Sequence, residues 1–593
     1  MWIKKRFLLR HVLLKGSFCV ASCFLLITVV VINSVNAWDQ MTASNHGKIV
    51  ITDEDIKKMN VHSMVDLLNQ IPGVSATDTS VSFRGSSVKN ILVLLDGRAI
   101  NNPASSYRAV NWGMVSINTI EKIEIYKGTG SVLYGDDTSG GVVSITTKKI
   151  SRGSRGNIEV SYGRFDSQKY DLIYQNDLGN FGLGLSGGWE KEDGFRINSD
   201  EDKKRFGTKL NYKSDLKKNI VFSVDYSQFE KGSPGPTYSP SPRARSREKD
   251  WGSTFVLPLG RVKSTTHYSG FDKRYNNPDT GLDNIMESRV LNERLSSPIS
   301  AGRLGQLNIG TDLEIADVEG NKIISQQEEK YAFYFTKEVS LQKTSLNLGL
   351  GVRANFYSDF PTAINPQVQL SYKYDDLDLH LSANRSNNIP TFYQRYYETS
   401  TLKPNPDLGM EKAMNYNLSL SYRPKETLEG SVSFFLNDIT ERITYVREDS
   451  IGRYKNIGSA TLKGIEIAAK CVPCDLLTAK TSYTYLIAKD EDTGKWLPNN
   501  PKHRWHFELQ LRSVKDFSLG LSTIYQSKRF SDAENNKAIR GTYFRSDLRG
   551  DYSLKENIKL FFKITNLFNR DYDTIDGYPA TPRAGMMGMG YEF

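Results

Sequence analysis

The chain has 593 residues, 24% of them charged, and a formal net charge of +10. That length exceeds one ordinary globular core and implies more than one folding unit. Lys4, Lys5, Arg6, Arg10 and Lys15 lie in a leading stretch without acids; the remainder carries about +5, too mild a balance to argue for nucleic acid.

Residues 1–37 read as a secretory signal peptide. A basic start precedes the apolar run Phe18 to Ile32, and Val35-Asn36-Ala37 supplies small residues for cleavage. The run is too short for a typical spanning helix, although an uncleaved anchor is the alternative. Beyond Ala37 no apolar run approaches the ~20 residues that a membrane helix needs. Only Cys471 and Cys474 lie beyond the leader, which excludes a disulfide-built scaffold.

Residues 38–48 form a short N-terminal segment, expected to be periplasmic. Residues 49–149 then mix helices and strands. Ile49-Val50-Ile51 reads as a strand. Thr52 with Asp55 is a capping box that starts a helix to about Met59. Ser63 with Asp66 repeats the device, and Met64, Leu67, Leu68 and Ile71 form one apolar helical stripe that Pro72-Gly73 stops. Strands are predicted over 81–84, 91–95, 123–126 and 142–146, punctuated by glycines. This is a small α+β domain.

Residues 150–593 alternate with period two. Tyr416, Leu418, Leu420 and Tyr422 share one face, and Asn415, Asn417, Ser419 and Ser421 the other. The segments 346–356 and 377–384 behave likewise, and the chain stops on such a strand, with Met587, Met589, Tyr591 and Phe593 on one face. A soluble β-sandwich also alternates, but this pattern continues past the length of a sandwich domain, and aromatics cluster at strand ends. In lipid every backbone group needs a partner within the protein, so the sheet must close. The expected fold is a transmembrane β-barrel with its apolar face outward, closed by pairing of the last strand with the first.

At this level of detail the chain resembles a known family. IEKIEIYKGTGSVLYGDDTSGGVVSITTK (120–148) is similar to the plug signature of TonB-dependent outer-membrane receptors. VITDEDI (50–56), DLLNQIPGV (66–74), SFRG (82–85) and LVLLDGRAIN (92–101) precede it in the order found in that plug. KPNPDLGMEKAMNYNLSLSY (403–422), NIGSATLKGIEI (456–467), LPNNPKH (497–503) and NLFNRDYDTIDGYPATPRAGMMGMGYEF (566–593) resemble recurring barrel segments. The resemblance implies a plug, 49–149, inside a barrel, 150–593, of 22 strands by the family's pattern, in the outer membrane of a Gram-negative bacterium. It implies import of a scarce bulky ligand, driven through TonB and its inner-membrane energising complex. In compactness and in its ending the chain is closest to the cobalamin receptors, which makes cobalamin or another corrinoid the first expectation and a ferric siderophore the second. A passive porin or adhesin has no use for a plug, and no enzyme's nucleophile, base and oxyanion arrangement emerges.

The family couples to TonB through a short segment ahead of the plug, usually by strand addition. Here only Trp38 to Lys48 intervene, without a clear TonB box, so Ile49, Val50 and Ile51 are the available contact. By position, loops 75–80 and 101–112 match those that meet substrate in cobalamin receptors. Thr77, Asp78, Asn101, Asn102, Tyr107, Arg108 and Trp112 supply hydrogen bonds and flat apolar surface there. The aromatic stretch TFYQRYY (391–397), with Tyr393 and Tyr396, is set either to stack on a ligand or to mark the membrane interface. Arg243, Arg245 and Arg247, in the Pro-rich segment 231–250, suit lipopolysaccharide phosphates or an anionic ligand. No metal site or cofactor is expected: His503 and His506 diverge on a strand, no His lies in 385–412 as a haem receptor would have, and no acidic cluster matches a calcium site. Cys471 and Cys474, in a predicted tight turn, favour a local disulfide.

Overall fold

The computed structural model describes residues 47–214, 219–300, 306–341, 344–512 and 516–593. The signal peptide and nearly all of segment 38–48 lie outside the described residues. No described helix is long and apolar enough to cross a membrane.

The chain crosses with strands instead. Twenty-two antiparallel strands close into one barrel. The first six are β8 (Gly153–Gly163), β9 (Ser167–Asp177), β10 (Phe181–Glu192), β11 (Glu201–Lys213), β12 (Asn219–Gly232) and β13 (Arg245–Leu259), after seven plug strands introduced below. The last strand, Ala584–Glu592, pairs antiparallel with β8, with Met587 opposite Tyr162 and Met589 opposite Val160. Phe593 and Gly156 exchange backbone hydrogen bonds of 2.7 and 3.0 Å, and the Phe593 ring occupies the space a Cβ on residue 156 would need. The terminal Phe therefore closes the barrel as the alternation predicts.

The two faces of each strand are chemically opposite. Leu350, Val352 and Phe356 point outward, while Arg353 and Asn355 are buried inward. Tyr416 and Tyr422 are exposed, while Asn415 and Ser421 are buried. This inversion of a soluble protein's pattern is what a lipid-facing wall demands. Aromatic pairs mark both rims: Tyr170 stacks on Trp189 near one end, and Phe181 packs at a tilt against Tyr212 near the other. Very short turns such as 375–376, 426–427 and 475–476 lie at the end that also carries the C-terminus, the periplasmic side; the long connections lie opposite. Cys471 and Cys474 stand on strand Ala460–Cys474, flanking a register irregularity, and the turn itself is Asp475-Leu476. The bulge extends the strand through the pair, which the hydropathy pattern did not reveal.

Inside sits the plug. Its sheet runs β1 (Lys48–Thr52), β6 (Ile120–Lys127), β7 (Gly141–Thr147), β4 (Ile91–Leu95) and β5 (Arg98–Ala99) in spatial order, with a separate hairpin of β2 (Val74–Thr77) and β3 (Ser80–Phe83). Helix α1 (Asp53–Met59) carries the full Thr52–Asp55 capping box, and Ser63 caps α2 (Met64–Asn69). The apolar stripe predicted for α2 closes over a core that includes Ile51, Met59, Leu68, Val93, Ile123 and Ile145. Strand β2 is absent from the sequence expectation; at four residues it is too short for alternation to register.

A polar wall around a folded plug makes their interface ionic. Glu466 of the barrel accepts from Arg84 at 2.8 Å and lies 3.2 Å from Lys127. Lys89 pairs with Glu411 at 2.9 Å, and Arg98 with Asp225 at 3.0 Å. Asp66 of the plug holds Lys563 and Arg545, whose charges keep its carboxyl well below the usual range despite burial. Gly73 is required where it stands: its φ is +67°, and a side chain there would strike Glu466. Burial pushes the Lys127 ammonium down to about 8, against the pull of Glu466.

Removing one partner of such a buried pair leaves the other charge stranded. Glu466→Ala is expected to destabilise plug docking by about 3–5 kcal/mol, seen as faster hydrogen exchange across 49–149 while the barrel keeps its heat-modifiable gel migration. Unchanged plug protection would show that these pairs hold nothing.

Candidate functional site

Above the plug a vestibule of about 780 Å³ opens on the side of the long loops, a volume in the range of small-molecule sites. Two plug segments form its floor. One is the tip of the β2–β3 hairpin, bearing Asp78; the other is loop 101–112, bearing Tyr107, which is 37% exposed. The walls come from the outer ends of β8, β10, β11 and β12 and from the final loop and strand. Four cations, Arg164, Arg196, Lys231 and Lys563, face three carboxylates, Asp78, Glu192 and Glu201. Tyr107, Phe165, Phe195, Tyr275 and Tyr578 add aromatic surface.

Of the residues singled out from sequence, the structure brings Asp78 and Tyr107 to this cavity. The others hold the floor in shape. Asn101 accepts from Val93 N–H and donates to the carbonyls of Ile91 and Arg108, using its amide inside the plug. Asn102 accepts from Ala104 N–H, a local turn. The buried Trp112 indole donates to the Thr77 carbonyl at 3.1 Å, and the Thr77 hydroxyl pairs with Ser80, so the two floor segments are tied together. Ile51 is buried in the plug core, and Ile49 and Val50 lie on the same strand β1, which occupies the edge of the plug sheet and is paired along one side with β6.

The aromatic stretch is built into a folded outer connection. Thr391 and Gln394 form a capping box for a short helix spanning Phe392–Tyr396. Tyr393 stacks on Tyr397 at 4.1 Å between centroids, and Tyr396 is buried in a cluster with Phe392, Leu402, Met286 and the plug's Ala104. This long outer connection is folded against the plug loop. Arg108 secures the same joint: it pairs with Asp137 at 3.0 Å and donates to the Ile389 carbonyl at 3.3 Å.

The basic loop is largely neutralised. Arg243 pairs with Asp279 at 2.6 Å, Arg245 with Asp200 at 2.7 Å, and Arg247 with Glu230 at 3.1 Å. His503 meets the Tyr483 hydroxyl and His506 the Ser522 hydroxyl, so the two rings diverge as the strand spacing predicts. Among the described residues no group of three His, Cys, Asp or Glu side chains is placed for a metal. Sequence reasoning missed the wall charges Glu192, Glu201 and Lys563, because charges on strands read only as a polar face, and Arg196, because it lies in a short loop without a motif. Tyr578 was within reach, since it belongs to the recognised segment 566–593.

Asp137 offers a titratable test of the floor. Burial pushes its carboxyl up to about 6, opposed by Arg108 and reinforced by Asp136. A folded value above the ordinary carboxylate value means that its charge costs stability above pH 6, and that this cost disappears as pH falls through the window between 6 and the unfolded value. The carboxyl carbon resonance of Asp137 should titrate near pH 6, and Arg108→Ala should move that midpoint higher. A midpoint near the ordinary carboxylate value in both proteins would place the pair in solvent.

Comparison with known proteins agrees with this architecture. The family model described as TonB-dependent Receptor Plug Domain matches residues 43–142, and the one described as TonB dependent receptor-like, beta-barrel matches 151–567. The vitamin B12 transporter BtuB of Photobacterium profundum is 23% identical, with 92% of each chain covered. The ferric enterobactin receptor PfeA of Pseudomonas aeruginosa has a similar fold, with a TM-score of 0.78 at 17% identity over 93% of this chain and 100% of that one. The siderophore receptor PirA from Acinetobacter baumannii likewise superposes with a TM-score of 0.78 at 17% identity, over 92% and 98% of the two chains. With a plug and a closed 22-strand barrel matched along most of its length, the chain belongs to the TonB-dependent receptors of the outer membrane.

Proposed function

We propose that this receptor imports cobalamin or another corrinoid, drawn through the barrel by TonB. The observation that carries the reading is the mixed sign of the vestibule. Three carboxylates stand among its four cations, so a strongly anionic ligand meets repulsion together with attraction. A large ligand edged by neutral amides instead finds donors, acceptors and aromatic faces. The likeness to a curated vitamin B12 transporter along most of both chains supports the same choice. The siderophore receptors share the fold, and a ferric siderophore is the second reading.

In this proposal Asp78 and Tyr107 touch the ligand, while Thr77, Asn101, Asn102, Arg108, Trp112, Tyr393 and Tyr396 shape the floor beneath it. TonB takes hold at or just before Ile49, Val50 and Ile51; because Ile51 is a core residue, a pull there acts directly on the plug's packing. Arg243, Arg245 and Arg247 remain the proposed lipopolysaccharide contacts at the rim, and Cys471 with Cys474 the proposed periplasmic disulfide. The domain limits 1–37, 38–48, 49–149 and 150–593 complete this reading.

Titration of tryptophan fluorescence with cyanocobalamin and with a ferric catecholate separates the ligands. Saturable quenching by cyanocobalamin is expected, with Tyr107→Ala weakening it about tenfold, the loss of one well-packed aromatic contact. Quenching by the ferric catecholate alone would transfer the function to the second reading.

A further inference from the structure

A second cavity, of about 600 Å³, lies between plug and barrel toward the periplasmic side. It shares its wall with the vestibule, because both are lined by residues of β8, β10, β11 and β12. Along these strands the inward side chains descend in registered levels. Glu192 opposite Glu201 lines the vestibule, and Ser186 with Gly207 and Asp225 lines the lower cavity. Between them lie two levels, the upper of which lines neither cavity: Lys169, Glu190, Lys203 and Phe229, in continuous register across four strands. Asp171 and Arg205 sit just below it.

We propose that the imported ligand passes along this sector of the wall, and that the belt around Glu190 and Arg205 is its gate. The side chains are linked across the strands. Arg205 pairs with Glu190 at 2.9 Å and with Asp171, two strands away; Lys169 lies 3.8 Å from Glu190 and donates to the carbonyl of His62 in the plug. Ser116 of the plug donates to Asp171 at 2.9 Å and closes the belt from the inner side. Gly188 makes the long reach of Arg205 possible, since a Cβ there would fall within the guanidinium. The closure is made of side chains, and the plug adds further contacts on either side of it: Asn111 donates to Ser227 at 3.1 Å, and Asn118 donates to Glu159 at 3.3 Å. It is also imperfectly satisfied: Ser161 Oγ, Asp171 Oδ1 and Arg205 Nε are buried without a hydrogen-bond partner. Leaving polar atoms in that condition carries a cost that exposure to water relieves, and movement of plug residues 62 and 116 removes the two plug contacts that Lys169 and Asp171 make.

The route rests on reading the chain as an importer, but its test needs no ligand. The full chain is placed in planar lipid bilayers with potassium chloride on both sides. K169A/E190A/R205A is expected to show single-channel current steps that the wild type lacks. K89A/E411A, which removes a plug–barrel pair on the opposite side of the barrel from Glu190, is expected to stay closed. R205Q, a milder change should the triple variant lose its heat-modifiable migration, is expected to open more rarely. A folded belt variant without current, or equal current through both sectors, overturns the gate. Failure of cyanocobalamin to bind would leave these currents unchanged and would count against the ligand alone.

Discussion

The structure depends on the absence of water around the barrel wall. Each backbone N–H and C=O at membrane depth must be paired within the protein, and only a closed sheet pairs them all. Closure then dictates the side chains. One face of every strand meets lipid and the other a polar interior, so Tyr416 and Tyr422 point out while Asn415 and Ser421 point in. Even the final residue obeys, since Phe593 completes the ladder with Gly156.

A polar interior of this width invites water, and the plug that fills it docks largely through polar and charged contacts. Its own hydrophobic core is therefore internal, and the surface it turns to the barrel is studded with ions: Arg84, Lys89, Lys127, Arg98 and Asp66 all find barrel partners. Such an interface suits a part that must stay seated and still be moved. Buried ion pairs specify position strongly when both partners are present, yet return little net free energy over the separated, hydrated charges. Force transmitted through an edge strand such as β1 thus acts against a docked but polar surface.

The same ionic interface frames the two cavities. On the sector of β8 to β12 one cavity lies above and another below, and between and beside them the plug meets the wall through Ser116 and Asp171, Asn111 and Ser227, and Arg98 and Asp225. On the opposite side Lys89 and Glu411, together with Asn90 and Asn388, fill the equivalent space with buried hydrogen bonds.

Much of this was legible in the amino-acid sequence. Alternation exposed the barrel, because a wall between lipid and a polar lumen must repeat every second residue; the Thr52–Asp55 and Ser63–Asp66 pairs exposed the plug's helices, because a capping contact spans three residues. Motif order exposed the plug itself. What only the tertiary structure decided involves residues far apart in the chain. That Asn101 is consumed by its own plug, that Tyr396 packs on Ala104, and that Arg205 reaches Asp171 over Gly188 depend on which strands lie side by side. Local periodicity carries the face a side chain takes; it carries nothing about the partner it meets there, and the site is made of those partners.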